Sequence, residues 1–91
     1  MSHTTQHKDP LLKRVRRIGG QVQALERAID GDAGCAKTLH LAAAIRGAVN
    51  GLMDELIEAH GREHVARPGL SDEEREHGLR EILDAIRRYS K

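Results

Sequence analysis

CAKTLHLAAAIRGAVNGLMDELIEAHGREH, residues 35–64, carries apolar side chains at Leu39, Ala42, Ile45, Val49, Leu52, Met53, Leu56 and Ile57. Steps of three and four are the mark of one helical face. Read as a single helix over about 33–64, the segment is more than ~40 Å long at ~1.5 Å per residue. A rod of that length in a chain of 91 residues must find most of its cover on another chain or on the segment before it. Its middle, AAAIRGAVNG (42–51), is rich in small residues that let two backbones approach closely.

Just before the long helix, DGDAG (30–34) is a turn, and Asp32 is expected to cap that helix. Ahead of it, Asp9-Pro10 suggests an N-cap with proline at the first helical position. Leu11, Val15, Ile18, Val22, Leu25 and Ile29 then mark a helix over about 10–29, interrupted in composition by Gly19-Gly20. Each of those glycines costs about 1 kcal/mol relative to alanine, so they point to a purpose beyond helix formation. Beyond the long helix, ARPGL (66–70) is a stop. Ser71 with Glu74 forms a capping box, and Leu79, Ile82, Leu83 and Ile86 carry a third helix over about 71–89. Residues 1–8 are left as a flexible arm. The expectation is a single all-α domain over 1–91.

Composition supports helices and narrows function. Charged residues make up 32% and apolar ones 38%, which suits amphipathic helices with solvated outer faces. Tyr89 is the only aromatic of the Phe, Trp and Tyr set, which argues against stacking platforms for single-stranded nucleic acid. A β-sandwich or barrel is equally disfavoured. One cysteine allows no internal disulfide, and neither a signal peptide nor a membrane span is visible. A cytoplasmic protein without membrane attachment is expected. So small a chain gains core by oligomerising.

Cys35 and His60 stand 25 positions apart in the long pattern. At ~100° per residue they differ by about 20° in azimuth, and at ~1.5 Å per residue by roughly 37 Å along the axis. They share a face but not a metal, unless two copies of the helix pair antiparallel about a dyad near Gly47-Ala48. That pairing sets Cys35 of one protomer level with His60 of the other, with His64 one turn beyond as a third ligand. The competing readings are plain: a lone cysteine is commonly a small buried hydrophobe, and His-x-x-x-His is commonly two solvated histidines. HGREH also fits H-x-x-E-H, a zinc-protease pattern with Glu63 as general base, but no substrate-cleft scaffold or third ligand in the same chain accompanies it.

RVRRIGGQVQALERAI (14–29), the single Cys35 and AAAIRGAVNGLMDELIEAHGREHV (42–65) resemble the CsoR/RcnR family of small helical bacterial repressors. The resemblance spans nearly the whole chain. It implies an antiparallel helical-bundle dimer of three-helix protomers, assembling into a tetramer that binds double-stranded operator DNA and releases it when an effector arrives. The family's nickel/cobalt branch carries His3, Cys35, His60 and His64, all present here, and adds the N-terminal amine, which falls to Ser2 once Met1 is removed. The copper branch has a second cysteine where this chain has His64. The formaldehyde branch uses the N-terminal amine with a cysteine matching Cys35, usually starts with proline and lacks the last histidine. Ser2 and His64 therefore point to Ni(II) or Co(II), with an efflux or resistance operon as the target; the alternative is a formaldehyde-responsive repressor. Nitrogen-rich, single-thiolate ligation would also hold Zn(II) or Cu(II) in a test tube. His7 and His40 are expected to be bystanders, and His77 a surface residue of the third helix.

KRVRR (13–17) sets Lys13, Arg14, Arg16 and Arg17 around the outside of the first helix. Alone, this is a solvated helix face; the resemblance makes it the candidate DNA surface. Gln21 matches a family position on the same helix. Arg46 either adds charge near the dyad or donates hydrogen bonds between helices. No helix-turn-helix pattern is present, so phosphate contacts and shape readout are expected to dominate.

Overall fold

The computed structural model describes residues 8–89, and among them three α-helices and one π-helical turn account for all regular structure. Helix α1 runs Lys8–Asp30, α2 Cys35–Gly61 and α3 Asp72–Tyr89; the π-turn, Arg62–Ala66, follows α2 directly. The expected all-α fold and the order of its helices are therefore found. The expected arm ends earlier than anticipated, since Lys8 is already helical, and the N-terminal candidates Ser2, His3 and His7 lie outside the described residues.

The described chain divides into two compact units, one spanning Asp9–Met53 and the other residues 54–89 together with Lys8. In the first, α1 carries Asp9 in its first turn and Arg27 in its last, each favourable to the helix dipole. Leu11 and Ala28 are buried, whereas Val15, Val22, Ile29, Leu39 and Val49 remain substantially exposed. Around Gly19 and Gly20 an added Cβ would meet nothing within 4 Å, so close packing inside the chain does not explain them.

The turn after α1 corrects one expectation. Asp32 does not cap α2; it ends α1. Its φ is 52°, the Ala33 amide donates to Ala28 O at 2.9 Å, and the Asp32 amide donates to Ile29 O at 3.3 Å. These two bonds close a Schellman motif with Asp32 in the left-handed position. Gly34, at φ 102°, then redirects the chain, and the Thr38 amide and hydroxyl both donate to its carbonyl.

In the second unit, Arg67 is extended (ψ 133°), as the residue before a proline prefers, and this ends the π-turn. The capping box is found: the Ser71 amide donates to Glu74 Oε1 at 2.9 Å, and the Glu74 amide donates to Ser71 Oγ at 3.0 Å. The Ser71 backbone amide, then its hydroxyl, hold the Glu74 carboxyl below the usual carboxylate range. Arg75 ties the loop to α3, donating to the carbonyls of Val65 and Leu70. Gly78 is the close contact between α3 and the π-turn. A methyl there would collide with the His64 carbonyl oxygen and stand 2.8 Å from its carbonyl carbon and Cβ.

Candidate metal centre

His60 sits in the last turn of α2, where the long apolar face ends, and His64 in the π-turn that continues it. Their ring centroids lie 4.4 Å apart with the planes tilted by 37°. His60 Nε2 is 3.1 Å from Glu81 Oε1, and only 19% of the His60 side chain is exposed. A carboxylate at Nε2 favours the tautomer protonated there, which leaves Nδ1 with the lone pair a metal needs. Glu81 also lies 3.7 Å from Nε2 of His77, which is otherwise a surface residue as expected.

Glu63, between the two imidazoles in sequence, is 3% exposed and accepts from Arg67 Nη1 at 2.8 Å. A buried carboxylate committed to a guanidinium is a poor general base, which removes the support for the protease reading of HGREH. Cys35 opens α2 in the other unit, is exposed, and borders a shallow open hollow of about 390 Å³ with Ala28, Ile29 and Leu39. In the single chain its thiol is thus open to solvent, unlike the buried hydrophobe of the simplest reading. Among the described residues of one chain, no three His, Cys, Asp or Glu side chains gather where they could hold a metal ion.

On α1, Lys13, Arg14, Arg16 and Arg17 are exposed, as is Arg46 on α2. Arg14 folds back toward Gly51, where an added Cβ would stand 2.9 Å from its Nη1. Gln21 turns its amide oxygen inward, buried and with no hydrogen-bond partner among the described residues. Sequence reasoning did not single out Glu81, Arg67 or Gly78. The i,i+4 spacings Glu63/Arg67 and His77/Glu81 were the available signals, but such pairs are common on any charged helix.

A family model described as metal-sensitive transcriptional repressor matches residues 7–88. The chain belongs to the metal-sensitive transcriptional repressor family. The repressor is 45% identical to the transcriptional repressor RcnR of Salmonella arizonae over 91 residues, the full length of both chains. It is equally similar, again end to end, to a Serratia marcescens protein known by its place in the 5′ region of bioA. Among solved structures it resembles a glutamate-to-histidine variant of the formaldehyde-responsive regulator FrmR from Salmonella enterica serovar Typhimurium. That match has a TM-score of 0.87 and 41% identity, covering 97% of this chain and 99% of the other. The family is one of repressors, not enzymes. No helix among the described residues is long and apolar enough to cross a membrane.

Proposed function

We propose that this repressor senses Ni(II) or Co(II), binding operator DNA in the metal-free form and releasing it when the ion binds. The observation that carries the reading is the His60–His64 pair, two imidazoles 4.4 Å apart with a carboxylate at His60 Nε2. Full-length similarity to RcnR supports it. In a dimer with antiparallel α2 helices, Cys35 of one subunit, His60 and His64 of the partner subunit, and the N-terminal segment with His3 and the Ser2 amine would hold the ion. This donor set, nitrogen-rich with one thiolate, fits the later first-row metals and suits Ni(II) or Co(II) better than Cu(I). Bound there, the ion supplies a cross-link between side chains of two subunits.

The chain's own residues do the rest. Lys13, Arg14, Arg16 and Arg17 neutralise DNA phosphates, with Arg46 adding charge on α2. Gln21 joins them only by turning its buried amide oxygen outward. Release requires a coupling free energy of about 1–3 kcal/mol between the ion and DNA sites. The target is a metal efflux or resistance operon. The repressor is cytoplasmic and works as a homodimer or homotetramer.

The second reading is a formaldehyde-responsive repressor in which Cys35 and the N-terminal amine react. The structural likeness to FrmR and the exposure of Cys35 favour it. One experiment separates the two: Ni(II), Co(II), Zn(II), Cu(I) and formaldehyde are titrated against a preformed operator complex. Metal sensing requires that Cys35→Ala and His64→Leu bind operator normally and fail to release with Ni(II) or Co(II). Unchanged release in both variants refutes it. Formaldehyde sensing requires a Cys35-dependent adduct by intact mass that abolishes DNA binding.

A further inference from the structure

Glu63, whose side chain is 3% exposed, pairs with Arg67, and the two flank His64. The pair joins the π-turn to the first residue beyond it. In a regular α-helix, four steps of ~100° leave residues 60 and 64 about 40° apart in azimuth. A π-turn closes each hydrogen-bonded ring with one residue more, so each step turns by less and that offset shrinks. His64 consequently comes over His60, in keeping with the 4.4 Å between their rings. Gly78 admits the α3 backbone against His64, and Arg75 holds the carbonyl of Val65 from the same helix. Glu63 is 3% exposed, and Arg67 is the cation at its carboxylate, so removing Arg67 would leave a buried charge without that partner.

We infer that the Glu63–Arg67 pair is the positioning element of the site: it holds residues 62–66 in π register and thereby sets the spacing and angle at which His64 meets His60. Arg67 touches neither the ion nor DNA in the proposed function. It acts through His64, fixing the bite of the two imidazoles and so which coordination geometries they accept. The ligand role of His64 rests on the functional reading above; the alignment of the rings does not.

The test uses the full-length protein and starts without metal. NMR contacts between the His60 and His64 rings are measured in the wild type, Arg67→Met and Arg67→Lys. The inter-ring contact should vanish in Arg67→Met, which keeps bulk but no charge, and persist in Arg67→Lys. Co(II) is then added, and affinity and the visible absorption of the bound ion are recorded. Arg67→Met should lose about tenfold or more in affinity, the usual scale for removing an outer partner of a ligand. Its absorption spectrum should change, and the loss should disappear in a His64→Leu background. Should Arg67→Met fail to fold, Arg67→Gln, which offers Glu63 a neutral donor, takes its place. Rings still in contact in Arg67→Met, or an affinity loss of equal size with His64 absent, would overturn the inference. A wild type that takes up no Co(II) would remove the functional reading, and the metal-free ring contact would then decide the positioning alone.

Discussion

Glu81→Ala removes the carboxylate that stands 3.1 Å from His60 Nε2. If that contact orients the ring and fixes its tautomer, the variant should bind Ni(II) or Co(II) more weakly at His60. Loss of such outer partners costs about 10–100-fold in metal affinity. Here 47% of the Glu81 side chain is exposed, so water screens its charge and the expected loss sits at the low end, about tenfold or ~1.4 kcal/mol. Glu81→Gln keeps an oxygen that can accept from Nε2 and should lose less. The assay is competition for the metal against a chromophoric chelator, paired with fluorescence anisotropy of labelled operator. Metal-free operator binding should be unchanged in both variants, while the metal concentration for half release rises in proportion to the affinity loss. Wild-type affinity in Glu81→Ala, or a larger loss in Glu81→Gln than in Glu81→Ala, would refute the orienting role.

Arg17→Ala should weaken operator binding and lower the slope of log affinity against log salt by roughly one, read from anisotropy titrations at several salt concentrations. Gly78→Ala drives a methyl into the His64 backbone and should destabilise the fold by about 1–3 kcal/mol, measured by urea unfolding. Glu74→Gln tests the capping box by pH. The folded-state carboxyl of Glu74 is depressed, so its charge contributes stability above its unfolded value and loses that contribution as pH falls through the folded value. The variant should therefore melt below the wild type near neutrality, and the two curves should converge in acid.

Much of this architecture was readable from side-chain spacing. The apolar three-and-four pattern of residues 39–57, the stop at Arg67-Pro68 and the Ser71–Glu74 box all depend on local sequence, and each is found as expected. The spacing places Asp32 on the wrong helix because DGDAG contains several residues suited to either a left-handed or a capping role. Only the backbone dihedral decides between them, and it placed Asp32 at the end of α1. The π-turn has no compositional signature; one extra residue per ring leaves the apolar pattern before it intact. The histidine pair was visible as a spacing, but its partner Glu81 is 21 residues from His60 and becomes relevant only once α3 folds back. Glu63 was noticed as a possible base, and burial beside Arg67 gave it a different role.

Among the described residues only three apolar ones are buried, Leu11, Ala28 and Ala59, two of them alanines. Interior of that size does not offset the entropy of ordering three helices. In the proposed dimer, folding and self-association would be a single equilibrium, displaced by dilution as surely as by heat. In a cell holding few copies, the level of expression itself would set how many intact sensors exist.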